Sequence, residues 1–179
     1  ASADGTNAFA IGRLSNASGT NASAIGTNAT ASGTSAIAIG KSSNASASGG
    51  CALAIGASAK ALGKQSIAIG ASAEAQKEYA IAIGCQAKAT APQAIAIGTS
   101  ANASGQGIAI GQQAMSNQQD AIAFGLQAKA TYTNAIAIGS CSEASHQKAI
   151  ALGDSAKASG QFSYAIGYQA EATAENSFA

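Results

Sequence analysis

Ala36-Ile37-Ala38-Ile39-Gly40 alternates small and large apolar residues and closes on a glycine, and the same five residues return at 80–84, 94–98 and 135–139. Alternation with a period of two marks a β-strand rather than a helix, and self-similarity at a fixed interval marks a repeat architecture. With the closing glycine as the marker, the series is Gly12, Gly26, Gly40, Gly56, Gly70, Gly84, Gly98, Gly111, Gly125, Gly139, Gly153 and Gly167. Markers lie 14 residues apart, except for an interval of 16 between Gly40 and Gly56 and one of 13 between Gly98 and Gly111. A further copy opens at Asn176-Ser177-Phe178-Ala179. The reading is a single repeat domain over 1–179, with twelve full repeats and a partial thirteenth.

A 14-residue repeat reaches about 46 Å when extended at roughly 3.3 Å per residue, enough for two short strands and two tight turns. The first half of each repeat is the Ala-Ile-Ala-Ile-Gly strand, and the second is a weaker alternation such as Ala59-Lys60-Ala61-Leu62-Gly63. A second glycine stands seven before the marker at Gly5, Gly19, Gly33, Gly49, Gly63 and Gly160, and is expected to supply positive φ at a turn. The fold class that follows is all-β: a flattened parallel β-solenoid of two-strand coils. The irregular spacings should be absorbed in turns, because a one-residue slip inside a strand would turn every later side chain to the other face. The insertion is expected near Ser46 to Gly50 and the deletion at Gly105-Gln106-Gly107.

Charge pattern supports this register. Three and five residues after each marker the chain has only Ala or Ser, as at Ala73 and Ala75 or Ser142 and Ala144, and these positions are expected to face inward. Between them lies a polar position, where Lys60, Glu74 and Lys88, and then Lys129, Glu143, Lys157 and Glu171, alternate in sign. Equivalent residues of stacked coils lie about 4.8 Å apart, so the alternation keeps like charges off adjacent rungs.

Both faces of the first strand are apolar, with Ile37 and Ile39 on one side and Ala36 and Ala38 on the other. A strand with one wet face would carry polar residues on it, and no other segment of the chain is left to cover this one. Another copy of the chain is expected to do so. Side-chain size favours isoleucines filling the coil, which leaves Ala36, Ala38, Ala80, Ala82, Ala94, Ala96, Ala135 and Ala137 as the contact face between chains; the reverse assignment, with the isoleucines at the contact, is the alternative.

Composition narrows function further. Only 9% of residues are charged and the net charge is +1, so no basic field for nucleic acid is present. The single histidine, His146, stands in a turn, and the three cysteines, Cys51, Cys85 and Cys141, are scattered among different coils. That pattern offers no metal-ligand spacing and no base beside a nucleophile. No catalytic residue, cofactor or metal is expected. Cys85 and Cys141 are four coils apart, about 19 Å at the strand spacing, too far for a disulfide. The chain has no initiator Met, signal peptide or apolar run long enough for a membrane helix, and is expected to be a piece of something longer.

The repeats resemble the heads of the trimeric autotransporter adhesins, the YadA-like surface proteins of Gram-negative bacteria. The likeness rests on Asn7-Ala8-Phe9-Ala10-Ile11-Gly12, Asn21-Ala22-Ser23-Ala24-Ile25-Gly26 and Asn134-Ala135-Ile136-Ala137-Ile138-Gly139, each followed by small residues in the same register, and it covers the whole chain. The resemblance implies a left-handed β-roll, a homotrimer, and display at the cell surface on a stalk anchored in the outer membrane; stalk and anchor sequences are absent from these 179 residues. It also implies multivalent attachment to host extracellular matrix proteins such as collagen or fibronectin, to cell-surface molecules, or to further copies. Asn precedes the marker by five in only three of the twelve full repeats, so an asparagine ladder there is partial.

Binding through such a surface would use the turns that vary most, and Lys77, Glu78, Tyr79, Tyr132, His146, Lys148 and Phe162 are the candidate contact residues. A purely structural fibre segment would use the same coil. An ice-binding solenoid needs an unbroken threonine row, and Thr6, Thr20 and Thr34 give way to Gly50, Lys64 and Glu78.

Overall fold

The computed structural model describes residues 1–47 and 50–179. The chain forms two compact units, Ala1–Gln93 and Ala94–Ala179, and each is an all-β stack of coils. In the first unit the three-residue strands are Phe9–Ile11, Ser23–Ile25, Ile37–Ile39, Leu53–Ile55, Ile67–Ile69 and Ile81–Ile83, and two-residue strands such as Lys60–Ala61, Glu74–Ala75 and Lys88–Ala89 form the opposite sheet. In the second unit the corresponding strands run from Ile95–Ile97 to Tyr164–Ile166 and from Asn102–Ala103 to Glu171–Ala172. Pairing is parallel with marker on marker, as in Ile67↔Ile81 and Ile69↔Ile83, or Ile136↔Ile150 and Ile138↔Leu152.

Each regular coil turns two corners of the same kind. In one, the Ala8 N–H donates to the Gly5 carbonyl at 3.0 Å; in the other, the Ser15 N–H donates to the Gly12 carbonyl at 3.3 Å. The third residue of each corner has positive φ, 57° at Asn7 and 58° at Leu14, the signature of a type II turn. Gly5, Gly19, Gly33, Gly63 and Gly160 are therefore not the residues with positive φ, contrary to the sequence expectation. That conformation falls two residues later and is held even by Gln65, Tyr79, Lys148 and Phe162. Three of these N–H groups continue the ladder around the corner: Tyr79 donates to the Lys64 carbonyl at 2.9 Å, Lys148 to the Thr133 carbonyl at 3.1 Å and Phe162 to the Gln147 carbonyl at 3.1 Å. These bonds to the previous coil hold a conformation that L-residues otherwise avoid.

All the marker glycines but Gly167 are required twice over. Their φ lies between 123° and 140°, a region open essentially to glycine. A Cβ at Gly70 would also lie 2.6 Å from the carbonyl carbon of Gly84 in the next coil.

The interior reverses the expected face assignment. Ala36, Ala38, Ala80, Ala82, Ala94, Ala96, Ala135 and Ala137 have no exposed surface within the single chain, so they cannot form a contact face between chains. They meet the equally buried Ala and Ser of the second strand, among them Ala73, Ala75, Ser142 and Ala144. The largest fully buried side chains are serines. A coil closed by two four-residue corners brings its two strands so close that only Ala and Ser fit between them, and isoleucine is excluded by volume. The isoleucines point outward, stacked on their equivalents in adjacent coils and half-exposed, with Ile37 at 38% and Phe124 at 53%. Three of the inner serines are satisfied by the corner beside them: the Ser15, Ser43 and Ser142 hydroxyls each donate to a marker-glycine carbonyl at 2.9 Å.

The shortened repeat behaves as expected in register. Ile95 pairs with Ile108 and Asn102 with Met115, so the missing residue comes out of the corner, where the Gly107 N–H donates to the Gly105 carbonyl at 2.7 Å. Ile108 and Ile110 sit on the outward face like the other isoleucines. The expected site of the insertion, Ser46 to Gly50, includes Ser48 and Gly49, which lie outside the described residues. On either side of it the register holds, with Ile37↔Leu53 and Asn44↔Lys60.

Candidate binding surface

Since the buried positions among the described residues are Ala, Ser and Gly, the chemistry of this chain is on its corners and outward rows. In the first unit Lys77, Glu78 and Tyr79 form one corner, closed by the Ala80 N–H donating to the Lys77 carbonyl at 3.1 Å. Glu78 faces Lys64 of the preceding coil at 3.7 Å, and the Tyr79 ring is exposed. Tyr132, His146, Lys148 and Phe162 lie on three successive corners of the second unit, and the fold brings them together as two pairs. The Tyr132 and His146 rings stack with centroids 5.4 Å apart and planes within 4°. Lys148 Nζ lies over the Phe162 ring, 5.4 Å from its centroid. The two corner groups belong to different units, 1–93 and 94–179.

Amide pairs also bridge successive coils at several corners. Gln161 donates to Gln147 at 3.3 Å, Gln127 to Gln113 at 2.8 Å, and Asn7 to Asn21 at 3.2 Å. The charged row is stacked as the sequence predicts, with Glu74 in register with Lys60 and Lys88, and Glu143 with Lys129 and Lys157. Lys60 donates to Glu74 at 2.9 Å, and Lys157 meets Glu171 at 3.5 Å. The hydrogen bond from Lys60 is the main reason the Glu74 carboxyl is held below its usual range.

Sequence reading missed two surface features. One is the half-exposed aliphatic face itself. The other is a groove of about 570 Å³ in the second unit, lined by Ser100, Gln113, Met115, Gln127, Lys129, Cys141 and Glu143. Its one signal was Met115, an apolar residue in an otherwise polar row. Cys51, Cys85 and Cys141 are free and exposed, and the Cys141 thiol donates to Gln127 Oε1 at 3.6 Å. Among the described residues no group of three or more His, Cys, Asp or Glu is placed to hold a metal ion.

Comparison with known proteins agrees with this geometry. The family model of the YadA head domain repeat matches residues 3–29, 17–43, 47–73, 75–101, 89–114, 103–128, 116–142, 130–156, 144–163 and 158–179. No curated protein matches the chain. Among solved structures, the collagen-binding domain of the Yersinia adhesin YadA is similar at 22% identity with a TM-score of 0.50, over 97% of this chain and 79% of that one. At that identity the likeness speaks for the fold alone.

Proposed function

Because this chain belongs to the family of YadA head domain repeats, we propose that it is the head of a cell-surface adhesin, a homotrimer displayed from the outer membrane of a Gram-negative bacterium. It attaches to host matrix or cells through many weak contacts made by its corner residues. The observation that carries the reading is the outward aliphatic face. In each unit two rows of Ile, Leu and Phe lie half-exposed side by side, with no segment of the described residues of that unit over them. A continuous apolar stripe of this kind is the mark of a surface that another chain covers, and copies around a common axis would cover it equivalently. Assembly then multiplies each corner, and avidity makes weak contacts effective. Nothing in this role calls for catalysis.

The similar Yersinia structure is of a collagen-binding domain, so collagen is the first surface to test, with fibronectin and intact cells beside it. The assembled chain and an assembly-defective variant are applied to each surface at several coating densities. Retention should rise steeply with density for the assembled chain and collapse for the variant. Equal retention of the two would refute binding by avidity, and no retention on any surface would favour a purely structural fibre.

A further inference from the structure

Resting on the reading of the corners as the binding surface, we propose that the cluster of Tyr132, His146, Lys148 and Phe162 is a site for a sugar ring of an acidic saccharide. The Tyr132 and His146 rings lie flat on each other across adjacent coils, so the second face of the imidazole turns toward the following coil. The strand register puts Gly160 at the equivalent position there. No side chain continues the stack, and the next residue in the row is Ala174. The Ala174 carbonyl closes over Gly160, 2.0 Å from where its Cβ would lie, so a ring laid against the exposed imidazole would sit outward of the backbone. Lys148, in the same corner as His146, holds its ammonium over the Phe162 ring of the following coil.

Three features select the ligand. An aromatic face is electron-rich and attracts the partially positive edges of C–H and N–H groups, which suits the C–H face of a pyranose. Gln147 and Gln161 share one hydrogen bond at 3.3 Å, and each amide retains capacity for hydroxyl groups. Among residues 132–134, 146–148 and 160–162 Lys148 is the one fixed charge, while Glu175 of the next corner continues the row of Gln147 and Gln161, so a carboxylate on the sugar is directed to the Lys148 side of the site and away from Glu175. An aromatic side chain of a protein partner could stack on His146 but would answer neither the amides nor the cation.

The test titrates the intact chain by calorimetry with two probes. One is a hexasaccharide of alternating glucuronate and N-acetylglucosamine; the other is a hexamer of N-acetylglucosamine, which has no carboxylate. The variants are His146→Ala and Lys148→Gln, residues this fold already holds in the same corner positions at Ala91 and Gln93. The glucuronate probe should bind the parent more tightly than the neutral one. His146→Ala should weaken both by about tenfold, and Lys148→Gln should weaken only the glucuronate probe. Failure of the parent to bind glucuronate, or unchanged binding by both variants, overturns the proposal. Retention on collagen is measured with the same preparations: retention without saccharide binding sinks this site and leaves the adhesin reading standing, whereas loss of both removes both.

Discussion

At the marker glycines a single methyl group decides whether one coil can stack on the next. Gly70→Ala would combine φ of 128° with a Cβ 2.6 Å from backbone of the following coil, and should cost on the order of 3 kcal/mol or more, visible as a large fall in thermal midpoint. Ser66 is the opposite case. Its buried hydroxyl has no hydrogen-bond partner, and other coils carry Ala in its place, as at Ala80 and Ala94. Ser66→Ala should leave the midpoint unchanged or raise it, since it removes an unsatisfied polar group; a clear fall would mean that the hydroxyl has a partner. The marker row was legible because it never varies. The positive-φ row was not, because Gln, Tyr, Lys and Phe occupy it against their local preference, held by hydrogen bonds from the previous coil that no single repeat encodes.

At the scale of the coil, the alternation of Ile and Ala gave strand and register but left two ways to orient the strand. Residue size favoured isoleucine inside; the closeness of two strands joined by four-residue corners excludes it. That distance belongs to the closed coil and cannot be read from either strand. The polar row was unambiguous, because Lys60, Glu74 and Lys88 make sense only as neighbours across coils. The corner residues were found as variable turns, but the stacking of Tyr132 on His146 and of Lys148 on Phe162 came only with the register. Glu74 adds a pH dependence. Its folded carboxyl is held low by Lys60, so the pair's contribution is fully present above the unfolded-state value and is lost as pH falls through the folded one. An exposed pair of this kind stabilises by about 0.2–1 kcal/mol. Glu74→Gln should lower the midpoint slightly at neutral pH and make no difference well below the carboxylate range; an equal effect at both pH values would assign the loss to packing.

For the whole molecule, the central claim is that alanine builds the interior of each coil and the isoleucine face is where chains meet. Two substitutions on one strand separate these roles. Ala82 has no exposed surface while Ile81 and Ile83 on either side are half-exposed. Ala82→Lys puts a charge where no side chain larger than serine fits, and should abolish the strand signal in circular dichroism. The double change Ile81→Lys, Ile83→Lys leaves the interior intact and places charges on the outward stripe. Sedimentation equilibrium of the parent chain and this double variant is the most direct measurement. The parent should sediment at three times the chain mass, and the double variant at a lower mass with its strand signal retained. A parent that sediments as a folded monomer, or a double variant with the parent's full mass, would contradict the account.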